Sequence, residues 1–128
     1  MTERSDGPPT LPRGAEARRS ETGLEIVDIE TGSGREVAEG RIVRVHYSGW
    51  LTNGSLFERT DAAREGIQFR VGAGQVIPAF DEGVLGMRVG GRRRLIVPSD
   101  LAYGPRGKPG RVPPFATLIY DVVVVGVA

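Results

Sequence analysis

Val71-Gly72-Ala73-Gly74-Gln75-Val76-Ile77-Pro78-Ala79-Phe80-Asp81-Glu82-Gly83-Val84-Leu85-Gly86-Met87 reads as a strand end, a glycine-rich turn and one short helix. Pro78 suits the first helical position, where a missing N–H costs nothing. Asp81 and Glu82 follow in the first turn, where the helix dipole favours negative charge. Ile77, Phe80, Val84 and Met87 then share one apolar stripe at helical spacing. No other segment has a convincing helical period, and strand-like runs lie on both sides. One helix packed on one curled sheet is the expected arrangement. Ile77 and Phe80 are expected where the helix start meets the concave face of that sheet.

Outward from this stretch the pattern is β. Leu24-Glu25-Ile26 alternates as a strand and is closed by Thr31-Gly32-Ser33-Gly34. Residues 41–50 form a longer one, with Val43, Val45 and Tyr47 on one face and Ile42, Arg44, His46 and Ser48 on the other. Asn53-Gly54 signals a hairpin and suits a type I′ turn, returning through Leu56-Phe57-Glu58. Ile67, Phe69 and Val71 alternate inward on the next strand. Arg92-Arg93-Arg94-Leu95-Ile96-Val97 follows the helix, and its arginines are expected on a solvated edge. Residues 118–127 are so rich in Val that both faces should be largely buried, in a central strand. The loop between, 99–116, carries Pro105, Pro109, Pro113, Pro114, Tyr103 and Phe115. A loop that long in a small domain points to function.

The chain has 128 residues, enough for one domain with a real core, and 19 glycines, which suits many turns. Residues 1–22 hold few large apolar side chains and are expected to be a disordered polar tail, with the folded domain at 23–128. The net charge of +1 gives no global pull toward nucleic acid or a membrane. There is no Cys and a single His, so a zinc site lacks its ligands. His46 has no nucleophile-elbow partner and is expected to be structural. Gly72-Ala73-Gly74 lacks the spacing and the Lys-Ser/Thr of a phosphate loop. Met1-Thr2-Glu3-Arg4-Ser5-Asp6 has no signal-peptide apolar core, and a cytoplasmic protein is expected. What remains is aromatic. Tyr47, Trp50, Phe57, Phe69, Phe80, Tyr103, Phe115 and Tyr120 are expected to converge largely above the helix start, as an apolar pocket rimmed by hydroxyls.

Several of these segments are recognisable together. Val45-His46-Tyr47-Ser48-Gly49, Asn53-Gly54 followed by Phe57, Gln75-Val76-Ile77 with Asp81-Glu82-Gly83-Val84, Met87-Arg88-Val89-Gly90, Ala102-Tyr103-Gly104 and Pro113-Pro114-Phe115-Ala116-Thr117-Leu118 come in one order at familiar spacings. From residue 23 onward the chain resembles the FKBP-type peptidyl-prolyl cis-trans isomerases, in their small single-domain bacterial form. The resemblance implies an α+β, mostly β fold, in which a strongly twisted antiparallel sheet wraps around one short helix. It implies a monomer that accelerates rotation about X–Pro bonds and assists protein folding without metal or cofactor. Its partners would be proline-containing polypeptides and macrolide inhibitors.

By resemblance, Tyr47, Phe57, Phe80 and Tyr103 carry the reaction. Glu58, Phe69, Val76, Ile77, Val112 and Tyr120 complete the substrate site, with Val112 covering it. The Ile77 N–H and the Tyr103 hydroxyl match donors to substrate carbonyls. Four positions depart from the family pattern. Phe80 stands where Trp is usual, and Glu58 where Asp is usual. Ala63, with Arg64 beside it, takes the place of an Arg that pairs with that acid. Arg111 replaces an apolar rim residue. Phe80, Glu58 and Arg111 keep a second possibility open, a module that grips proline segments without turnover.

Overall fold

A computed structural model describes residues 7–128. The polar stretch 1–6 lies outside the described residues. The elements are β1 (Ala17–Arg19), β2 (Glu25–Glu30), β3 (Ile42–Leu51), β4 (Leu56–Arg59), β5 (Ile67–Arg70), α1 (Pro78–Gly83), β6 (Arg92–Val97) and β7 (Leu118–Val127), with two 3₁₀ turns, Ser99–Leu101 and Gly104–Arg106. The strands form one antiparallel sheet in the order β1-β2-β6-β7-β3-β4, and β5 also pairs with β3. β3 and β7 form the spine, in register from Val43↔Val127 to Leu51↔Leu118. On its other edge β3 is shared. β5 takes its first half, Ile42↔Arg70 to Val45↔Ile67, and β4 its second, from Ser48↔Arg59. Bulges at Arg44/Val45 and Gly49/Trp50 interrupt its ladders. Such bulges bend a strand and increase its local twist.

α1 packs against the apolar face of this sheet. Ile77 enters it in extended conformation and Pro78 is its first residue. Gly83 is required by the close approach to β6, since a Cβ there would come within 2.5 Å of Leu95 Cδ1. The helix ends sooner than the apolar stripe extends. Arg93 Nη1 donates to the Gly83 and Leu85 carbonyls at 2.9 and 2.8 Å, and Gly86 turns at φ +82°. Val84 and Met87 stay buried, so the stripe is sound while the helix covers only its first part. At the other end Asp81 does more than suit the helix dipole. Its carboxylate accepts from the Gly72 and Gly74 N–H groups at 2.8 and 3.0 Å, tying the glycine turn to the helix start.

Four local expectations are corrected. The arginines of β6 are not on an edge, because β6 lies between β2 and β7. Arg93 and Arg94 are 5% and 7% exposed, paired with Asp28 and Asp121 respectively. β7 is central as expected, but only one face is sealed. Leu118, Tyr120, Val122 and Val124 are fully buried, while Val125 is exposed and Asp121 lies buried on the other face. The Asn53-Gly54 hairpin is present without a type I′ turn. Gly54 has positive φ and Asn53 does not, and the bonds Gly54 N→Leu51 O and Leu51 N→Ser55 O enclose a three-residue loop.

The fourth concerns residues 1–22. From residue 7 onward they are not a free tail. β1 pairs with β2, Ala17↔Val27 to Arg19↔Glu25. Arg18 and Arg19 bridge Asp28 and Glu25 at 2.8 and 3.0 Å. Further back, the Pro9 carbonyl accepts from Arg94 Nη2 at 2.6 Å. Backbone pairing and charge hold this segment, neither of which shows as apolar periodicity.

Candidate active site: the aromatic cleft at the start of the helix

The chain enters α1 directly beneath the concave face of the sheet, and a cleft of about 470 Å³ opens there. Its lining comes from β3 (Tyr47), the β5–α1 connection (Val76, Ile77), α1 (Phe80), the long loop (Tyr103) and β7 (Tyr120). Phe80, 3% exposed, is the floor. The Tyr47 and Tyr120 rings meet it edge-on at 4.9 and 4.8 Å between centroids, and each other at 5.7 Å. Edge-to-face packing of this kind adds to plain area burial. Gly49 makes room for the cluster, since a Cβ there would stand 2.8 Å from Tyr120 Cε1 and 2.9 Å from Phe57 Cζ.

The polar groups sit at the rim. The Tyr47 hydroxyl donates to Glu58 Oε1. Glu58 Oε2 is buried without a hydrogen bond among the described residues, and faces Lys108 Nζ at 3.6 Å. Tyr103 and Tyr120 both line the cleft, and Lys108 Nζ lies 5.5 Å from the Tyr103 ring centroid. Burial first, and then the Glu58 carboxylate, push the Tyr47 phenol well above its usual value. Burial, then the neighbouring Tyr103 and Glu58, do the same to Tyr120. Both phenols therefore stay neutral in the folded protein. Their raised values stabilise the fold below about pH 10, and this contribution is lost as pH rises above it. In an absorbance titration, Tyr47 and Tyr120 should ionise only as the protein unfolds; ionisation near pH 10 with the fold intact would contradict this.

Not every expected residue lines the cleft. Tyr47, Val76, Ile77, Phe80, Tyr103 and Tyr120 do. Phe57, Phe69 and Val112 stand behind it, 7%, 3% and 5% exposed in the core. Phe57 supports the lining from β4, its ring 5.8 Å from that of Tyr120. Phe69 sits opposite Val43 in the β3–β5 ladder. Val112 forms a backbone bridge with Lys108 and packs in the core cluster. Trp50 does not join the aromatic group, because strand alternation sends it to the opposite face with His46 and Ser48. There, with Pro9, they line a separate hollow of about 250 Å³. His46 is half-buried, with Nδ1 2.9 Å from Thr60 Oγ1, a structural contact. Phe115 is 71% exposed, at φ 59°.

The residues missed are Ile67, Gln75, Pro78 and Ala102, all lining the cleft, and Lys108 beside Glu58 and Tyr103. Ile67 was detectable from its inward place in the β5 alternation. Ala102 was detectable beside Tyr103. Lys108 carried no local signal. It is the described basic partner of Glu58, while Arg64 pairs with Asp61 in solvent at 3.5 Å.

The structure is thus a twisted antiparallel sheet closed on one short helix, with an aromatic cleft at the helix start. Comparison with known proteins gives the same class. The model of the FKBP-type peptidyl-prolyl cis-trans isomerase family matches residues 33–125. An FK506-binding protein of Neisseria meningitidis serogroup B is 44% identical over 105 residues, covering 82% of this chain and 96% of that protein. FK506-binding protein 1 of Dictyostelium discoideum is 42% identical over 103 residues, covering 80% and 96%. Among solved structures, AtFKBP13 superposes with a TM-score of 0.79 at 35% identity, over 88% of this chain and 99% of that one. The chain belongs to the FKBP-type peptidyl-prolyl cis-trans isomerases, enzymes that speed rotation about X–Pro bonds.

Proposed function

We propose that the proline ring of a substrate seats on Phe80, between Tyr47, Val76, Ile77 and Tyr120, and that the X–Pro bond turns there. The observation that carries this assignment is the Phe80 ring, met edge-on by two tyrosines at the bottom of the cleft. The Ile77 N–H and the Tyr103 hydroxyl are the donors assigned to substrate carbonyls. Phe57, Phe69 and Val112 act from behind, by fixing the lining. Glu58 holds the Tyr47 hydroxyl and takes no proton in the reaction.

The chemistry needs no nucleophile. Amide resonance holds the bond planar with a barrier of roughly 18–20 kcal/mol. The planar form is the more polar, and the twisted transition state loses that polarity. A dry aromatic floor therefore favours the twisted state relative to the planar one, and fixed donors hold the flanking carbonyls. A thousandfold acceleration needs about 4 kcal/mol, within reach of ring packing plus one or two oriented hydrogen bonds.

Clients are flexible proline-containing chains, macrolides of the FK506 type compete for the same cleft, and the protein works as a cytoplasmic monomer. Light scattering and cell fractionation check the last two attributes. The cis-to-trans rate of a short X–Pro peptide, with and without the protein, tests the core assignment. No acceleration, with peptide still bound, would make the protein a proline-binding module. Tyr103→Phe should lower turnover only about two- to tenfold, the worth of one hydrogen bond. Loss of all turnover in that variant, with the fold intact, would give the hydroxyl a larger part than positioning.

A further inference from the structure

We infer that this enzyme prefers proline segments with an acidic residue directly beside the proline, read by Lys108 and Arg111 on the lip of the cleft. The inference rests on the isomerase assignment and adds the substrate class.

Both cations are fixed by the fold of the long loop. Lys108 and Val112 exchange backbone bonds of 2.8 Å, and Arg111 N donates to the Lys108 carbonyl at 2.9 Å, which makes a tight turn between them. From that turn Lys108 reaches a ring of the cleft lining, and Arg111 reaches Phe57 behind it. Lys108 Nζ lies 5.5 Å from the centroid of Tyr103, the ring whose hydroxyl is assigned to a substrate carbonyl. Arg111 Nη1 donates to the Phe57 carbonyl at 3.2 Å, behind the ring that supports Tyr120. A substrate residue flanking the seated proline on the Tyr103 side comes near Lys108.

The charges there do not cancel. Among the described residues, Glu58 pairs with Lys108 at 3.6 Å. Its other oxygen is held by the Tyr47 hydroxyl. Arg111 donates to a neutral carbonyl and has no carboxylate partner among the described residues. Glu58 is largely shielded, whereas the Lys108 side chain keeps 39% of its surface in solvent. A substrate approaching the lip therefore meets net positive charge, with guanidinium and ammonium donors suited to a carboxylate.

The test uses the full chain and two sets of peptides, with Glu, Leu or Lys immediately before the proline, or immediately after it. At low salt, kcat/KM should rank Glu above Leu above Lys in at least one set, each step about two- to fivefold, the range of a solvent-exposed ion pair. The spread should shrink as salt is raised. Lys108→Gln with Arg111→Gln should flatten the ranking, and Lys108→Glu with Arg111→Glu should reverse it. Equal turnover of all the peptides, or a ranking that survives both variants, would overturn the inference while leaving the isomerase assignment intact. Turnover of none would overturn that assignment, and this one with it. The salt dependence needs no variant, so a folding defect in either variant leaves the wild-type ranking as the deciding result.

Discussion

Asp121→Ala should lower folding stability by about 3–5 kcal/mol, the cost of leaving a buried charge without its partner. Asp121 and Arg94 face each other across the β6–β7 ladder. They form a two-pronged pair, Nε to Oδ1 at 2.7 Å and Nη2 to Oδ2 at 2.9 Å, with side chains 4% and 9% exposed. The same guanidinium holds the Pro9 carbonyl. Losing the carboxylate thus frees a cation in the middle of the sheet and loosens the residue-9 anchor. Denaturant unfolding at neutral pH measures the effect. Arg94→Met combined with Asp121→Leu should recover much of the loss, since an apolar pair of similar volume carries no desolvation cost. A single-variant loss below about 1 kcal/mol would mean that the pair behaves like an exposed one.

Phe80→Ala should cost about 3–5 kcal/mol in packing, and should reduce turnover far more than Tyr103→Phe does. The Phe80 ring fills the space between Tyr47 and Tyr120 at centroid distances of 4.9 and 4.8 Å. Without it both tyrosines lose their edge contacts with that ring and the floor becomes a hollow that admits water. The dry surface that favours the twisted amide then disappears. Phe80→Trp is the informative companion. It widens the floor, against strain of about 1–3 kcal/mol from overfilling a closed site. It should keep turnover and tighten macrolide binding. Thermal unfolding and peptide turnover on the same preparations separate folding from function. A folded Phe80→Ala protein with undiminished turnover would move the site elsewhere.

The sheet was legible wherever its strands alternate. Val43 and Val45 on β3, and Phe69 on β5, turn inward as their spacing predicts. The start of α1 was legible from Pro78, but its end was not. The groups that take its last carbonyls belong to Arg93, on a strand that a local pattern cannot connect to it. The arginines of β6 misled for the same reason. A run of charge looks solvated until Asp28 and Asp121 arrive from distant parts of the chain. In the site, strand faces and loops alone suggested an aromatic pocket too broadly, including Trp50 and Phe115. Family motifs singled out Tyr47, Phe80 and Tyr103, but could not foretell that Lys108 would take the place of an arginine beside Glu58.

β1 bears on solubility as well as on stability. Without it, β2 would present its outer backbone groups to solvent along Glu25–Glu30, an open template for a second chain. β1 occupies part of that edge and offers a poorer one in its place. It is three residues long, every one exposed, and two of them are arginines. An approaching strand finds little to pair with and meets like charge if it is another copy of the same edge. The stretch that adds least to the core thus caps the sheet and disfavours edge-to-edge growth. A chain begun at residue 23 would lose that protection even where its cleft remained whole.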